Sequence, residues 1–582
     1  MFLNQKPVPS SYSKEKYELA CMENIPLAFL NFCKGNPQGK VVYWKDASGE
    51  YSNSFSNQEV LNHADYIASE LGESPKVAMM CKNLAILYPL ELAIWFNRGH
   101  TVAIYDTDEV ESAILKINLS KSDFFACDNV AFEKIKNNTD FGTLKKILLL
   151  ESCEIPDGFP LEVVKLWSSE SISGPRKSLD DWIEEVQSIK GTDLAKIIFS
   201  SGTTGNPKLI PLSHQNFLTT LKGWIKVMHF NTDQRAPAYL PNAHVFQTTV
   251  SILTLIGVGK TYITAKADLG VDLKKIKPNL FVAVPLVLDV FKDKIIDKLK
   301  GLPLLKNFDF SDFNNNNIIK RFILRWVFGR LVAVKLGLSE CQWLVSGGAD
   351  LGDATWDFFN DCLGIPIRQG YGMSETAAGI SCNGPKVKKG SAGLLIEGVE
   401  TKIDDDQILH VKGNNVTSFG YDFKKDHLDA DGFFCTGDRA RIDEENFVYL
   451  SGRKSDRVKM ANGKFYNLET VAGRICGQFS DFPFSVPVLE GKRSGTLIVT
   501  LSENSKSFNS SDCENILEAL GKIKDLPTFD KIVVFPEISV ENGLLTPTQK
   551  VRFLVVIDLW NKIERGSKTD NTNFLVLESL ES

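Results

Sequence analysis

Between Lys196 and His214 the chain reads KIIFSSGTTGNPKLIPLSH, with five Ser or Thr hydroxyls and a lone Lys at its turn. KIIF and LIPL are apolar runs of strand type. Gly202, Gly205, Asn206 and Pro207 cannot continue a strand, so the two runs read as a hairpin around a loop. Ser213 is placed to cap a helix over HQNFLTTLKGW. The loop offers backbone N–H groups, the hydroxyls of Ser200, Ser201, Thr203 and Thr204, and the Lys208 amine. Many small donors and one cation suit a polyphosphate. A GxxxxGK[ST] loop is excluded, because Pro207 stands where its second Gly belongs. A surface turn rich in small residues is the competing reading of these spacings.

Other candidate groups follow downstream. They are YLPNAHVFQ (239–247), VSGGADL (345–351), QGYGMSET (369–376), DGFFCTGD (431–438), GRKSDRVKMANGK (452–464) and LLTPTQKVR (544–552). With SSGTTGNPK, this ordered set resembles the signatures of the adenylate-forming superfamily, which includes acyl-CoA synthetases, luciferases and peptide-synthetase adenylation domains. Two details resemble its long-chain fatty acid branch: TPTQK as the C-terminal lysine motif, and Gln247 where many relatives carry Gly.

The resemblance implies a reaction. A carboxylate is a poor acyl donor, so it attacks the α-phosphate of ATP, releases pyrophosphate and forms an acyl-adenylate. A thiol then displaces AMP. Both steps build charge on oxygen, which calls for Lys, Mg²⁺ and preset donors. By resemblance, the triphosphate loop is Ser200, Ser201, Gly202, Thr203, Thr204, Gly205 and Lys208. Gly370, Tyr371, Gly372 and Thr376 meet the adenine side, with Tyr371 stacking on the base. Glu375 is the Mg²⁺ ligand. Asp438 accepts the ribose hydroxyls, and Arg453 approaches the ribose or phosphates. Lys550 bridges the carboxylate and the α-phosphate. His244 sits near the acyl carboxylate, with Gly347, Gly348 and Ala349 lining the pocket, and Ser455 is the hinge of a mobile domain.

Read singly, each of these residues has a plainer alternative: a core histidine, a half-buried tyrosine at a strand end, a surface Glu or Lys. The chain also departs from the family pattern. Leu209 follows the loop lysine where Gly is usual, and Leu468–Ala472 lacks the usual Pro and later Glu, which bears on the thioester step. The expected acceptor is CoA. Acyl carrier protein presents the same phosphopantetheine thiol and stays open. A non-catalytic acyl-nucleotide binder is the third reading, disfavoured by the joint presence of Lys208, Glu375, Asp438, Arg453 and Lys550.

The elements that must hold these residues can be read from composition and periodicity. A chain of 582 residues is too long for one core. Its net charge of −6 disfavours a nucleic-acid partner. The 11 Cys form no CxxC or Cys/His cluster and read as reduced thiols. The N-terminus lacks a signal-peptide pattern, and no run of about eighteen apolar residues spans a membrane; a cytoplasmic location is expected. KVAMMC, NLAILYPLELAIWFNRG and HTVAIYD read as strand, helix and parallel strand. KKILLL, AKIIFS, PNLFVAVP, QWLVSGG and IPIRQGYG read as further strands. The expected fold is α/β: a large N-terminal domain (1–454) of two doubly wound subdomains with a small β-barrel-like region near 390–452, a mobile α+β C-terminal domain (455–565) and a polar tail (566–582). The segment KRFILRWVFGRLVAVKLGLS (320–339) interleaves cations with apolar residues. Its favoured reading is a helix packed on its own domain; a peripheral membrane contact is the other.

Overall fold

The computed structural model describes the chain apart from residues 1–9, 139, 167–175, 201–206, 231–232, 306–307, 311–317, 425–426, 455–456, 463, 480, 503–507, 524–525, 541, 547–550, 567–572, 578–579 and 581–582, and apart from the side chains of Ser200, Arg457, Phe465 and Arg565. A seven-stranded sheet carries the first candidate loop. Its order is Glu162–Lys165, Lys146–Leu149, Phe124–Cys127, Lys76–Met80, His100–Ile104, Leu194–Ser200 and Lys208–Ser213. All neighbours are parallel except the last pair.

The strand sequences explain its burial on both faces. KVAMM, FFAC and KILL are almost wholly apolar, as strands covered on two sides must be. Successive side chains go to opposite cores: Val77 and Met79 to one, Ala78 and Met80 to the other. The helix Leu87–Phe96 connects Lys76–Met80 to its parallel neighbour and is apolar all round, so all ten of its residues are buried. Its one charged residue, Glu91, forms a buried ion pair with Lys196 on the strand entering the loop, Nζ to Oε1 2.7 Å.

A second sheet has Leu280–Ala283, Trp343–Ser346 and Ile367–Tyr371 in parallel, extended by antiparallel Ser381–Cys382 and Leu394–Leu395. A third joins Gln234–Ala238, Gly259–Ile263, Lys40–Trp44 and Asn53–Ser56. That sheet unites strands some 200 residues apart, which local periodicity does not reveal. The small β region expected near 390–452 is a four-stranded antiparallel sheet of Glu400–Ile403, Ile408–Lys412, Phe434–Ile442 and Val448–Arg453.

Beyond Arg453 a last four-stranded sheet combines Ser485–Val488, Gly495–Val499, Phe529–Val534 and Phe574–Val576. The final strand lies within the polar tail. It is docked parallel to Phe529–Val534, and the Leu577 amide donates to the Val534 carbonyl. Among the described residues no helix is long and apolar enough to cross a membrane.

Candidate active site

The opening hairpin forms as its sequence dictates. Leu194–Ser200 and Lys208–Ser213 pair antiparallel, with Ser200 opposite Lys208. Ser213 caps the helix His214–Met228, its hydroxyl accepting from the Asn216 amide. The loop itself, with Ser201, Gly202, Thr203, Thr204 and Gly205, lies outside the described residues, as does the Ser200 side chain. Its exit is fixed from below. The Leu209 amide donates to Asp422 Oδ1 at 3.0 Å, and Lys208 Nζ stands 5.3 Å from the Tyr421 ring centroid. The Tyr421 hydroxyl in turn donates to Glu375 Oε1 at 2.6 Å. One tyrosine thus joins the loop lysine to a buried carboxylate. Burial first, then the Glu375 charge, pushes the Tyr421 phenol well up, so it stays protonated and remains a donor.

Sequence reasoning missed Tyr421. Its turn, Tyr421–Phe423, is reached through Gly420 at φ +74°, and a Cβ there would meet the Lys424 carbonyl. That glycine is the one local signal of a special turn.

A second cluster forms where two sheets meet. Tyr371 ends the strand Ile367–Tyr371 and is buried, and its hydroxyl donates to Asp438 Oδ2 at 2.5 Å. Arg453, paired with Asp438 across neighbouring strands, donates through Nε to Oδ1 at 3.0 Å. The Asp438 amide bonds Thr436 Oγ1. Burial, then the Asp438 charge, holds the Tyr371 phenol well above its ordinary value. Each carboxylate oxygen has one donor and keeps lone-pair capacity for another. Thr376 is fully buried, its hydroxyl engaged with the Met373 backbone.

Beside Gly370 and Gly372, the neighbours of Tyr371, opens a cavity of about 40 Å³, more than the roughly 10–15 Å³ that one water needs. Its walls are apolar, including Trp224, Phe230, Val250 and Leu253. Its polar side is made of Gly347, Gly348, Gly370 and Gly372 with His244. Ala349 is half-buried and outside this lining. Gly372 has no room for a side chain: a Cβ would meet the Ala378 backbone at 2.2 Å. Ala377 and Ala378 adopt φ +47° and +67°, so the turn after SET is strained as sites often are. His244 caps the helix Val245–Leu253, its Nδ1 accepting from the Phe246 amide at 3.3 Å. A neutral ring in that role carries its proton on Nε2. Lys550 and Ser455 lie outside the described residues.

The family model that describes AMP-binding enzymes matches residues 30–420. The chain belongs to that family of adenylate-forming enzymes. It is similar to long-chain-fatty-acid–CoA ligase 5 of Mus musculus, 26% identical over 93% of this chain and 86% of that protein. It is also similar to long chain acyl-CoA synthetase 8 of Arabidopsis thaliana, 28% identical over 64% of this chain and 58% of that one. Among solved structures, the adenylation domain of a Mycobacterium chelonae carboxylate reductase shares the fold at TM-score 0.74, covering 96% of this chain and 93% of that one at 16% identity. An anthranilate CoA ligase in complex with anthranoyl-AMP does so at TM-score 0.70, covering 94% of this chain and 98% of that one at 16% identity.

The family fits the donor set. Among the described residues, no group of three or more His, Cys, Asp or Glu could hold a metal. Mg²⁺ needs no such group, since one carboxylate together with substrate phosphates suffices, and Glu375 stands beside the loop lysine's neighbour, Tyr421.

Proposed function

We propose that this enzyme activates a long-chain fatty acid to acyl-AMP and transfers the acyl group to the thiol of CoA. The observation that carries the reading is a shared segment. Gly370, Gly372 and Ala378 line the apolar cavity, while Tyr371 and Glu375, between them, reach Asp438 and Tyr421. Acid and nucleotide would therefore meet on a few consecutive residues.

In the first step a carboxylate oxygen attacks the α-phosphorus of ATP, and the bond to pyrophosphate breaks. The apolar walls of the cavity would receive the carboxyl-proximal part of the tail and exclude water. His244, with Nε2–H as donor, would orient the carboxylate at the glycine side. Lys208, and Lys550 from the C-terminal domain, would meet the charge growing on phosphate oxygens. Asp438 would accept from the ribose hydroxyls beside Tyr371 and Arg453. Glu375, held by the Tyr421 hydroxyl, would hold Mg²⁺, which supplies charge neutralisation at the phosphates when bound. In the second step the thiol sulfur attacks the acyl carbon, the bond to AMP breaks and the thiol proton goes to solvent.

Long-chain specificity is supported by the names of the curated relatives and by TPTQK. A domain boundary near 454 is supported by the cores, whereas the tail beyond 565 shares the C-terminal ones through Phe574, Leu575 and Leu577. Three hydrophobic clusters are built wholly from residues at or beyond Val458. The acceptor is tested by supplying CoA and phosphopantetheinylated acyl carrier protein separately and weighing the thioester formed. Thioester on CoA with little on the carrier is expected; the reverse, or AMP release with neither, contradicts the reading.

A further inference from the structure

The segment between the parallel strands Leu280–Ala283 and Trp343–Ser346 contains a broken helix: Ile318–Ile323, a wide turn at Leu324–Phe328, and Gly329–Leu336. Its inner face is made by Leu324, Gly329 and Ala333, which are buried, with Phe328, Val332 and Leu336 partly buried against the same core. That face accounts for its packing on the domain. It does not account for the outer face, where further large apolar side chains lie. Ile318 is 76% exposed, Phe322 61%, Val327 56%, Leu331 46% and Val334 55%. Phe322 and Trp326 stack loosely on the surface at 6.0 Å. The wide turn matters here. It absorbs an extra residue in one revolution, turning Val327, Leu331 and Val334 back toward the side that carries Ile318 and Phe322. A helix that keeps a second set of large apolar residues exposed, after one set has packed inward, is not patterned for water.

The charges on the same run are of one sign. Lys320, Arg321, Arg325, Arg330 and Lys335 lie between Ile318 and Ser339, a stretch with no Asp or Glu, in a chain of net charge −6. From the packed elements, the group facing it is Asp361. The Asp361 carbonyl accepts from Arg325 Nη1 at 2.7 Å, and its carboxyl feels Arg325 and Arg321. The helix Leu269–Ile276, packed against Gly329–Leu336, adds Lys274 and Lys275 in its last turn, Lys275 being paired with Glu50, and carries the buried Asp272. Lys320, Arg330 and Lys335 have no carboxylate partner among the described residues.

We propose that this face docks on an anionic lipid bilayer, with Ile318, Phe322, Val327, Leu331 and Val334 entering the headgroup boundary and the cations meeting lipid phosphates and carboxylates. Apolar residues and lysine or arginine interleaved on one helix lying in a surface are the chemistry that an anionic membrane selects. A protein partner or a second copy would need acidic complementarity on its own surface, whereas a bilayer supplies it over any area. The acidic balance of the rest of the chain is repelled by the same bilayer, so the contact also orients the molecule. The inference does not depend on the substrate or acceptor proposed above.

The test is sedimentation of the full chain with vesicles, either of phosphatidylcholine alone or of phosphatidylcholine with phosphatidylserine. Binding to the anionic vesicles at least about tenfold tighter, and weakened by added salt, is expected. Phe322→Asp with Val327→Asp should reduce that binding at least about tenfold with an unchanged melting temperature. Arg330→Glu with Lys335→Glu gives an independent variant that keeps the apolar face and should remove the preference for anionic vesicles. Absence of vesicle binding, or equal binding by wild type and both variants, overturns the proposal. So does a dimer in sedimentation velocity that the Phe322/Val327 variant dissolves while vesicles are ignored, which would assign the face to a second copy.

Discussion

Tyr421 has a job that no neighbour can take over. Its hydroxyl holds Glu375 while its ring faces Lys208. A hydrogen bond to a charged group contributes about 1.5–3 kcal/mol, so Tyr421→Phe should lower kcat/KM for acid-dependent pyrophosphate release by roughly ten- to a hundredfold. The melting temperature should move little, since the ring is kept. Unchanged turnover would mean that Glu375 needs no positioning. His214 makes a different prediction. Burial holds its imidazole down to about 3, and its ring lies 5.8 Å from Trp95, edge to face. In the unfolded chain the ring protonates below about 6.5. The folded state cannot bind that proton until far lower, so the stability is fully present above the ordinary value and is lost as pH falls below it. The loss should be roughly 1.4 kcal/mol per pH unit. Urea midpoints for wild type and His214→Phe, measured above and one unit below the ordinary value, check it: the variant should show the flatter pH dependence.

The helix Leu87–Phe96 and the strand Leu194–Ser200 lock together through Glu91 and Lys196, which are 105 positions apart. Glu91 also takes a long hydrogen bond from Asn242 of the YLPNAH motif, 3.4 Å, so the pair ties the phosphate hairpin to the segment bearing His244. Glu91→Leu leaves a buried ammonium unpaired and should destabilise by about 3–5 kcal/mol. Adding Lys196→Met should recover most of that in chemical denaturation, because an apolar pair of similar size needs no partner. If both variants lose equally, packing rather than charge is the cause. These elements also show what could be read in advance. KVAMM, KIIFS and LFVA announce buried strands by composition, and Ser213 announces its helix. The pairing of Lys196 with Glu91 has no local trace, since a lysine in an apolar strand reads as a flaw until its partner is known. Tyr421 was hidden for the same reason: its value comes from Glu375 and Lys208, brought together by a sheet edge and a turn with positive φ at Asp422 and Phe423. The docking of Phe574–Val576 has no local trace, because its partner strand is some forty residues earlier. The packing of 318–336 on its own domain agrees with the favoured reading, but its exposed face was not legible, because periodicity cannot say which apolar stripe of a doubly apolar helix turns inward.

At the scale of the whole molecule, three hydrophobic clusters are built from residues at or beyond Val458, as the proposed division near residue 454 requires. In the proposed mechanism Lys550 and an incoming thiol would need the same approach to the acyl and phosphate centres, so one would have to withdraw before the other arrives. Ser455 stands between the bodies in sequence. Ser455→Pro fixes φ near −65° and should keep pyrophosphate release while losing thioester formation in the same preparation. Retention of both would place the pivot elsewhere. The proposed activity itself is met most directly by pyrophosphate release over a series of carboxylic acids. Each buried CH₂ contributes about 0.8 kcal/mol, so kcat/KM should climb roughly fourfold per methylene and peak among acids of about twelve to eighteen carbons. Acetate or amino acids outperforming those acids would contradict the assignment.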